Sequence, residues 1–596
     1  MKKTIYILLI IICSGLTSCK KGDLDRFPQT SIAPELFFNS EDDLRLYVDG
    51  LVSMPNRSSY LNDQSSDNVV TTALVEVKSV MAGNSNAQNI TAGWDWERLR
   101  NINYFLENYN RANVTADIKN HYAGLARYYR ADFYLDKVKR FSDVPWYSKT
   151  LNPGDQDLYK GRDPRALVMD SVMADLKFAY EHVKTDARVG VPGKWAVATL
   201  YSRAALYEGT YRKYHAELNL ASTANSFLQT AAEISRAIMD AKLYKISTKE
   251  NPVADYAELF SSQDLSTNPE VILVNAFDMN QGISQNVNSV VFGDYEQAPA
   301  KDLIQSYLMK DGSRFTDLPN YNQIGFVQEF RDRDPRLAQT MVYPGWVRVP
   351  DAAPYIQRLN KNFTGYHQLK GYVNSTDQAT LNGVDFPVYR YAEVLLNYAE
   401  AKVELGTLTQ TDLDESVNLL RSRVDMPAMN MALANANPDP LMRQQFPNVT
   451  TNAGIIFEIR RERRVEFAFE NMRYDDLMRW SAGKLLEKSP EGMYFAGLGK
   501  YDMTGDGVED IILIDRSVTI PAEEQKEKNS LGVTLLYYRT GIIGTDATVF
   551  LKNGVNGGTI VTETATRNFI EPKYYYRPIP QQHVVLNPNL KQIFSW

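Results

Sequence analysis

Cysteine is nearly absent from this chain. Its 596 residues contain two, Cys13 and Cys19, both close to the start. If the first 18 residues are removed and Cys19 is modified, as argued below, the mature chain has no free thiol. A cysteine nucleophile, a thiolate metal site and a disulfide framework are then all excluded. Stability must come from a large apolar core, for which the length is ample. Histidine is scarce as well. His121, His182, His215, His367 and His583 never fall within five residues of one another. With no H-E-x-x-H and no cysteine cluster, the spacing of a zinc hydrolase is missing. No G-x-S-x-G occurs, and Gly499-Lys500 lacks the upstream glycine and following Ser or Thr of a phosphate-binding loop. Basic excess is lacking too: 65 Lys and Arg face 72 Asp and Glu. That balance argues against nucleic acid, polyanions and anionic headgroups as partners. Beyond Ile12 no stretch is long and apolar enough to span a bilayer.

The first residues, MKKTIYILLIIICSGLTSCKKG, have a defined layout. Lys2 and Lys3 precede an apolar run from Ile5 to Ile12 that is too short to cross a membrane, the pattern of a secretory signal. Leu16-Thr17-Ser18-Cys19 resembles a bacterial lipobox, in which Cys19 is diacylated and becomes the new N-terminus. Two acyl chains hold a protein stably where one holds it only marginally. The chain is therefore expected to be lipid-anchored after removal of residues 1–18, and the alternative is plain secretion after cleavage near Ser18.

From Ser40 onward the pattern is helical, broken by loops rich in Asn, Gly and Ser. Segments 96–110, 122–141, 163–183, 193–214 and 226–244 recur as helix pairs, with Asp163 expected as an N-cap and Pro164 in the first turn. Three helices share a small residue one turn after an aromatic: Tyr128/Ala131, Tyr201/Ala204 and Tyr398/Ala401. Gly209 and Gly406 are expected to close two of them. This spacing admits a neighbouring helix, as in tetratricopeptide hairpins, or equally in generic antiparallel packing.

The stretch from Val388 to Trp480 carries the strongest pattern. Tyr391, Val394, Leu395, Tyr398 and Leu405 form one helical face. A second helix is expected to begin at Thr411 or Asp412, with Leu413, Val417, Leu420 and Val424 inward. In IRRERRVEFAFENMRYDDLMRW (459–480), together with the preceding Glu458, Glu458, Glu462, Glu466 and Glu470 fall at four-residue steps with four arginines among them. Four carboxylates on one helical face repel one another. Either Glu462 and Glu466 are paired catalytic carboxylates, or the row is a buried ion-pair network that pins the helix to its neighbours.

YRYAEVLLNYAEA, ERRVEFAFENMRYDDLMRW and the tail YYYRPIPQQHVVLNPNL, in this order over some 200 residues, resemble the SusD/RagB family of Bacteroidetes outer-membrane lipoproteins. RYYRADFYLDKVKRFSDVPW, ELFSSQD, NPEVILVNAF and RDPRL extend the likeness. The chain departs at Asn471, where the family has Gly, and Asn tolerates the left-handed turn best after Gly. Trp596 also follows Phe594-Ser595 rather than the usual Asn-Pro-Gly. The resemblance implies a non-catalytic surface protein that captures oligosaccharides, or peptides as RagB relatives do, and passes them to a SusC-like TonB-dependent transporter. It also implies that the hairpins are tetratricopeptide-like, and that Asp67 lies near the ligand.

The fold class expected is mainly α: an α-helical scaffold with tetratricopeptide-like helix hairpins, long loops and a small β element between Gly497 and Phe569. Residues 19–270 and 271–596 are read as N- and C-terminal regions. One metal-like spacing occurs, in DMTGDGVED: Asp502, Thr504, Asp506 and Asp510 around Gly507 imitate the start of a calcium loop. Its twelfth position is Leu513 rather than Glu, so an Asp/Gly turn before a strand is the other reading. No cofactor is required, and calcium is the single candidate. For a sugar, stacking aromatics are the better lead. Helical faces account for Trp96, Trp195 and Trp480, and the resemblance for Trp146 and Trp596. Trp94 and Trp346 remain, in Gly-bearing loops that do not force burial, and Tyr295 lies in another. The rival reading, a lipid-anchored glycoside hydrolase, would use a pair such as Asp475 and Glu466.

Overall fold

A computed structural model of the protein describes residues 37–293, 297–374 and 381–596. The leader with Cys19, and Tyr295, lie outside the described residues. The first half is built on α1 (Glu97–Asn108), α2 (Ala116–Phe141), α3 (Arg165–His182), α4 (Lys194–Tyr214) and α5 (Ala224–Asp240). Thr115 caps α2 by accepting from the Ile118 N–H, and Lys139 and Arg140 occupy its last turn, where cations favour the helix dipole. The cap expected at Asp163 is not made. Pro164 holds the N-cap position of α3, Asp143 Oδ1 accepts from Arg165 N at 3.0 Å, and Asp163 Oδ2 accepts from Trp146 N at 2.8 Å. The first helical N–H is thus met by an aspartate from the segment before, while Asp163 ties that segment down at Trp146.

Helices pack in pairs, α2 on α3 and α4 on α5, and α6 (Tyr391–Glu404) joins the second pair. All six residues of the aromatic/small signature are buried. Gly406 is left-handed (φ 73°) just past α6, as expected. Gly209 does something else: it lies inside α4, and a Cβ there would sit 2.8 Å from the Leu228 side chain. Glycine is what lets α5 approach this closely.

The next expected helix is two, α7 (Gln410–Asp414) and α8 (Val417–Arg423), separated at Ser416. Its cap is Thr409, not Thr411 or Asp412. Thr409 and Asp412 form a reciprocal capping box. Leu413, Val417, Leu420 and Val424 are fully buried, as their spacing predicts. Then come α9 (Ala453–Glu466) and α10 (Arg473–Arg479), both enclosed in the main core with Trp480. Helix α9 ends at Glu466, so Glu470 is not on its face. Phe469 and Asn471 have φ of 64° and 62° and turn the chain back, Asn471 in the left-handed state expected of it.

Short strands complete the fold: β1 (Val69–Thr71), β2 (Val271–Asn275), β3 (Gln297–Pro299), β4 (Phe386–Arg390), β5 (Tyr494–Phe495), β6 (Gly499–Tyr501), β7 (Ile511–Asp515), β8 (Leu536–Gly541), β9 (Val549–Phe550) and β10 (Gly558–Thr559). β1 pairs antiparallel with β3, and β2 with β4, so the early chain is stitched to the later one. The expected β element is a four-stranded sheet, β6-β7-β8-β9, antiparallel at its first pair and parallel thereafter. No helix among the described residues is long and apolar enough to cross a membrane.

Candidate functional site

The carboxylate row was a candidate for catalysis, and its geometry speaks for structure. Glu466 accepts from Arg423 Nη2 at 2.7 and 2.8 Å, from Arg390 Nη1 at 2.6 Å and from Arg336 Nη1 at 2.9 Å. Glu462 binds Arg336 at 2.6 Å and Arg421 at 2.9 Å. Glu470, turned back beyond the helix, binds Lys370 at 2.5 Å and Arg390 at 2.7 Å. Burial alone would push the Glu466 carboxyl up, but Arg423, Arg390 and Arg336 hold it well below the usual range. Such a group neither donates a proton nor reaches a cleft, since Glu466 is 0 % exposed. Asp475, its partner in the hydrolase reading, instead lines a separate cavity of about 230 Å³ and pairs with Lys139 at 2.7 Å.

The aromatics offer a different kind of site. Trp346, Phe292 and Val342 form a small cluster apart from the three large cores, with Tyr343, Tyr355 and Tyr372 packed half-buried around it. Gly345 (φ 86°) makes the turn before Trp346, whose N–H donates to Tyr343 O, and Tyr355 N–H donates to Trp346 O at 2.7 Å. The Trp346 ring lies edge-on to Tyr355 at 6.0 Å and Tyr372 at 5.9 Å, while Phe292 stacks on His367 at 5.1 Å. Tyr355 Oη is 3.3 Å from His367 Nε2. Burial pushes the His367 imidazole down to about 3, so the ring is neutral. A cavity of about 290 Å³ is lined by Trp346, Lys370, Tyr372, Asn374 and Gln339. Asn374 ties the loop together, accepting from Val349 N and donating to Val347 O at 2.9 Å each. Gly371 (φ 91°) lets the loop sit on the Tyr60 ring, 3.0 Å from where a Cβ would be. Aromatic faces with polar atoms at their edge are what a pyranose ring needs.

The candidate residues are not brought together. Trp94 lies in the core of the first helices, edge-on to Trp96 at 5.2 Å and to Phe141 at 4.9 Å. The expectation that the scaffold leaves Trp94 and Trp346 unclaimed is corrected: they are 7 % and 5 % exposed. Gly93 (φ 87°), against the Arg140 side chain, turns Trp94 inward. One edge still reaches a groove of about 540 Å³ that includes Trp96, Tyr147, Tyr159, Leu158 and Leu586. Leu158 and Leu586 are exposed, so this groove is more aliphatic than the Trp346 cluster. Asp67 faces another cavity, with both carboxylate oxygens taken by Arg473 at 2.7 and 2.8 Å.

The Asp/Gly loop binds itself. Asp502 accepts from Gly505 N at 2.6 Å and Gly507 N at 2.9 Å, Asp506 from Val508 N at 2.8 Å, and Asp510 from Met503 N at 2.8 Å and Thr504 N at 2.9 Å. Each carboxylate is turned onto a backbone N–H rather than toward a common centre. Among the described residues no three His, Cys, Asp or Glu converge as metal ligands. The donor set therefore fits a turn before β7 better than a calcium site.

Tyr355, Tyr372, Phe292 and His367 were not singled out in the sequence. Phe292 comes from the helical turn Ser289–Gly293, and for the other three the signal is the density of rings in the 343–372 stretch, YPGW, then PY, YH and GY. Those rings lie on loops without a helical or strand period, so no spacing rule marks them.

Similarity to known proteins fits this architecture. The model of the SusD family matches residues 269–596, more than half of the chain. The chain belongs to the SusD family. It is 23 % identical over 516 residues to SusD-like protein P2 of Formosa agariphila, covering 81 % of this chain and 91 % of that protein. SusD-like protein P38 of the same bacterium is 22 % identical over 498 residues, or 79 % of this chain and 90 % of the relative. Among solved structures, a "SusD-like carbohydrate binding protein" of Bacteroides fragilis superposes with a TM-score of 0.68 at 23 % identity, covering 93 % of this chain and all of that one. A second SusD-like protein of that species gives 0.67 at 20 % identity, over 96 % of this chain and all of that one. At these identities the structural likeness speaks to the fold, which is SusD-like and mainly α.

Proposed function

We propose that this SusD-family chain is a non-catalytic, cell-surface glycan-binding lipoprotein. The observation that carries the reading is the aromatic cluster of Trp346, Tyr355 and Tyr372, a stacking surface with amide and hydroxyl groups at its edge. In this reading Cys19 bears the lipid, the protein sits on the outer membrane, and captured oligosaccharide passes to a SusC-like TonB-dependent transporter. Nucleic acid is no partner, and calcium is not needed. The absence of catalysis is supported by Glu462 and Glu466, whose oxygens are all engaged by arginines.

The test is calorimetric titration of the purified protein and of Tyr355→Ala and Tyr372→Ala against neutral oligosaccharides, with a peptide set beside them. Glycan binding that both variants weaken supports the reading. Tight binding confined to peptides would replace it with RagB-like peptide uptake, and release of reducing ends during titration would revive the hydrolase. Cys19→Ala should move the protein from the washed membrane fraction to the soluble one, and a variant that stays on the membrane would refute the anchor.

A further inference from the structure

A cavity of about 500 Å³ opens among α9, α10, the helices Lys301–Ser306 and Pro440–Gln445, and the β5/β10 ribbon. It shares no lining residue with the cavity at Trp346. Seven of its lining residues are Lys or Arg and four are Asp or Glu, in a chain that is acidic as a whole. One carboxylate, Asp67, serves two guanidiniums. Arg473 takes both of its oxygens, leaving Arg464 a 3.3 Å contact to Asp67 and a 2.8 Å bond to Asn68 Oδ1.

Arg460 is the decisive residue. It is 1 % exposed, and its guanidinium stacks over Trp480 at 4.4 Å and Phe446 at 4.7 Å. Stacking uses the face of a guanidinium and leaves its in-plane N–H groups to find acceptors. Arg460 Nε and Nη1 have none among the described residues. Its single carboxylate contact, Glu404 at 3.5 Å, is shared with Lys213 and Tyr214 at 2.7 to 2.9 Å. Leaving two N–H groups of a buried cation unmet is costly, and an acceptor brought by a ligand removes that cost. Phe446, Tyr321 and Tyr494 supply flat wall beside the cations, and Lys488 and Lys552 stand at the exposed rim, their side chains 60 % and 59 % open.

We propose that this cavity is an anion-binding subsite, which takes the carboxylate or sulfate ester of an acidic sugar residue on Arg460 and Arg464. The sugar part of this inference rests on the glycan reading, and the anion part stands on the cavity alone. The net negative charge of the chain does not oppose it, because charges farther than about 8 Å are screened at physiological salt. It does disfavour long polyanions, so the ligand is a short acidic oligosaccharide.

The test is titration of the purified protein with tri-galacturonate, a sulfated carrageenan-type disaccharide and neutral maltotriose. At least one acidic probe should bind about tenfold or more tightly than maltotriose, and weaken severalfold when NaCl is raised from about 50 to about 500 mM. Preference for galacturonate assigns a carboxylate, preference for the sulfated probe assigns a sulfate, and binding of both assigns the shared chemistry. The surface double variant Lys488→Ala/Lys552→Ala should lose about three- to tenfold in that affinity, and Arg460→Lys about tenfold or more, since a single ammonium cannot replace the fork of a guanidinium. Should Arg460→Lys not fold, the surface pair decides. Acidic probes that bind no better than maltotriose, or that bind the double variant unchanged, overturn the proposal. Binding of the neutral probes and its loss in Tyr355→Ala or Tyr372→Ala reports on the aromatic reading, while the salt-sensitive preference for acidic probes and its loss in Lys488→Ala/Lys552→Ala reports on this one, so the two failures are separately visible.

Discussion

Two regions of this protein concentrate interactions in different currencies. Around α9 the contacts are ionic and enclosed: Glu466 alone binds three arginines drawn from chain positions 336, 390 and 423. Around Trp346 they are aromatic, lie on loops, and leave three tyrosines half-buried. The first region joins distant segments through groups that water never reaches. The second holds flat surface near water without joining much to it. Enclosed charge fixes a scaffold, because removing one partner leaves the other charged and unpaired. A half-open ring fixes less and offers more.

The largest effect that would break this comparison lies in the ionic region. Glu466→Gln should destabilise the fold by about 3–5 kcal/mol, since three buried arginines lose their shared charge. Denaturant unfolding monitored by circular dichroism checks it, and a midpoint within error of wild type would mean that the network is dispensable. Acid comes next. The folded Glu466 and Glu470 carboxyls are held below their ordinary range by arginines, against the opposing pull of burial. A depressed carboxylate stabilises the fold above its unfolded pKa, roughly 4.3, and that contribution drains away as pH falls below it. His367 adds to the same trend. Its pKa of about 3 in the fold lies below the ordinary value, so stability declines as pH falls from about 6.5 and the unfolded form takes a proton. A Tm series from pH 8 to pH 3 should therefore fall mildly at first and steeply below about 4.5.

A smaller effect sharpens the other side. Tyr355→Ala or Tyr372→Ala should weaken glycan binding by about 1–3 kcal/mol, as for a central stacking residue, with little change in Tm. His367 is already neutral at pH 7, so a change of affinity between pH 7 and pH 9 should come from Lys370, whose ammonium burial pushes down to about 8 in the same cavity. Smallest of all is calcium. With the carboxylates of Asp502, Asp506 and Asp510 each accepting a backbone N–H, millimolar calcium should leave Tm unmoved, and a rise of several degrees would reinstate the metal loop.

The ionic region was legible in the sequence and the aromatic one only in outline, for physical reasons. A helix imposes a period, so Glu462 and Glu466 fall into a row that can be seen by counting, and arginines between them announce their partners. Even there the period misled at Glu470, because the helix stops at Glu466 and Phe469 turns the chain before it. Glu470 reaches the network by a turn rather than by helical register. A loop has no period. Trp346 could be found by elimination, but nothing in its spacing told that Gly345 would fold it under Tyr355. Trp94 was misjudged for the same reason: a Gly beside a Trp frees the backbone to turn either way, and here Gly93 turns it inward. The cavity at Arg460 was hidden altogether, since its arginines read as scaffold and only three-dimensional counting finds the two unmet N–H groups.

The pairing of Asp67 with Arg473 spans 406 residues of chain, and β1 finds β3 across more than two hundred. Closing loops of that length before any compensating contact forms is slow, and topologies rich in such closures fold late in their own synthesis. The helical hairpins α2–α3 and α4–α5 are local and have no such wait. Assembly should thus run in two tempos, hairpins first and the arginine-rich centre last, once residue 473 has arrived. Until then Asp67 is unpaired, and the β1 edge stays uncovered until β3 has been made. Truncation between β3 and α10 should leave a chain that is helical by circular dichroism yet lacks the Arg473 partner of Asp67, and open to proteases around that residue.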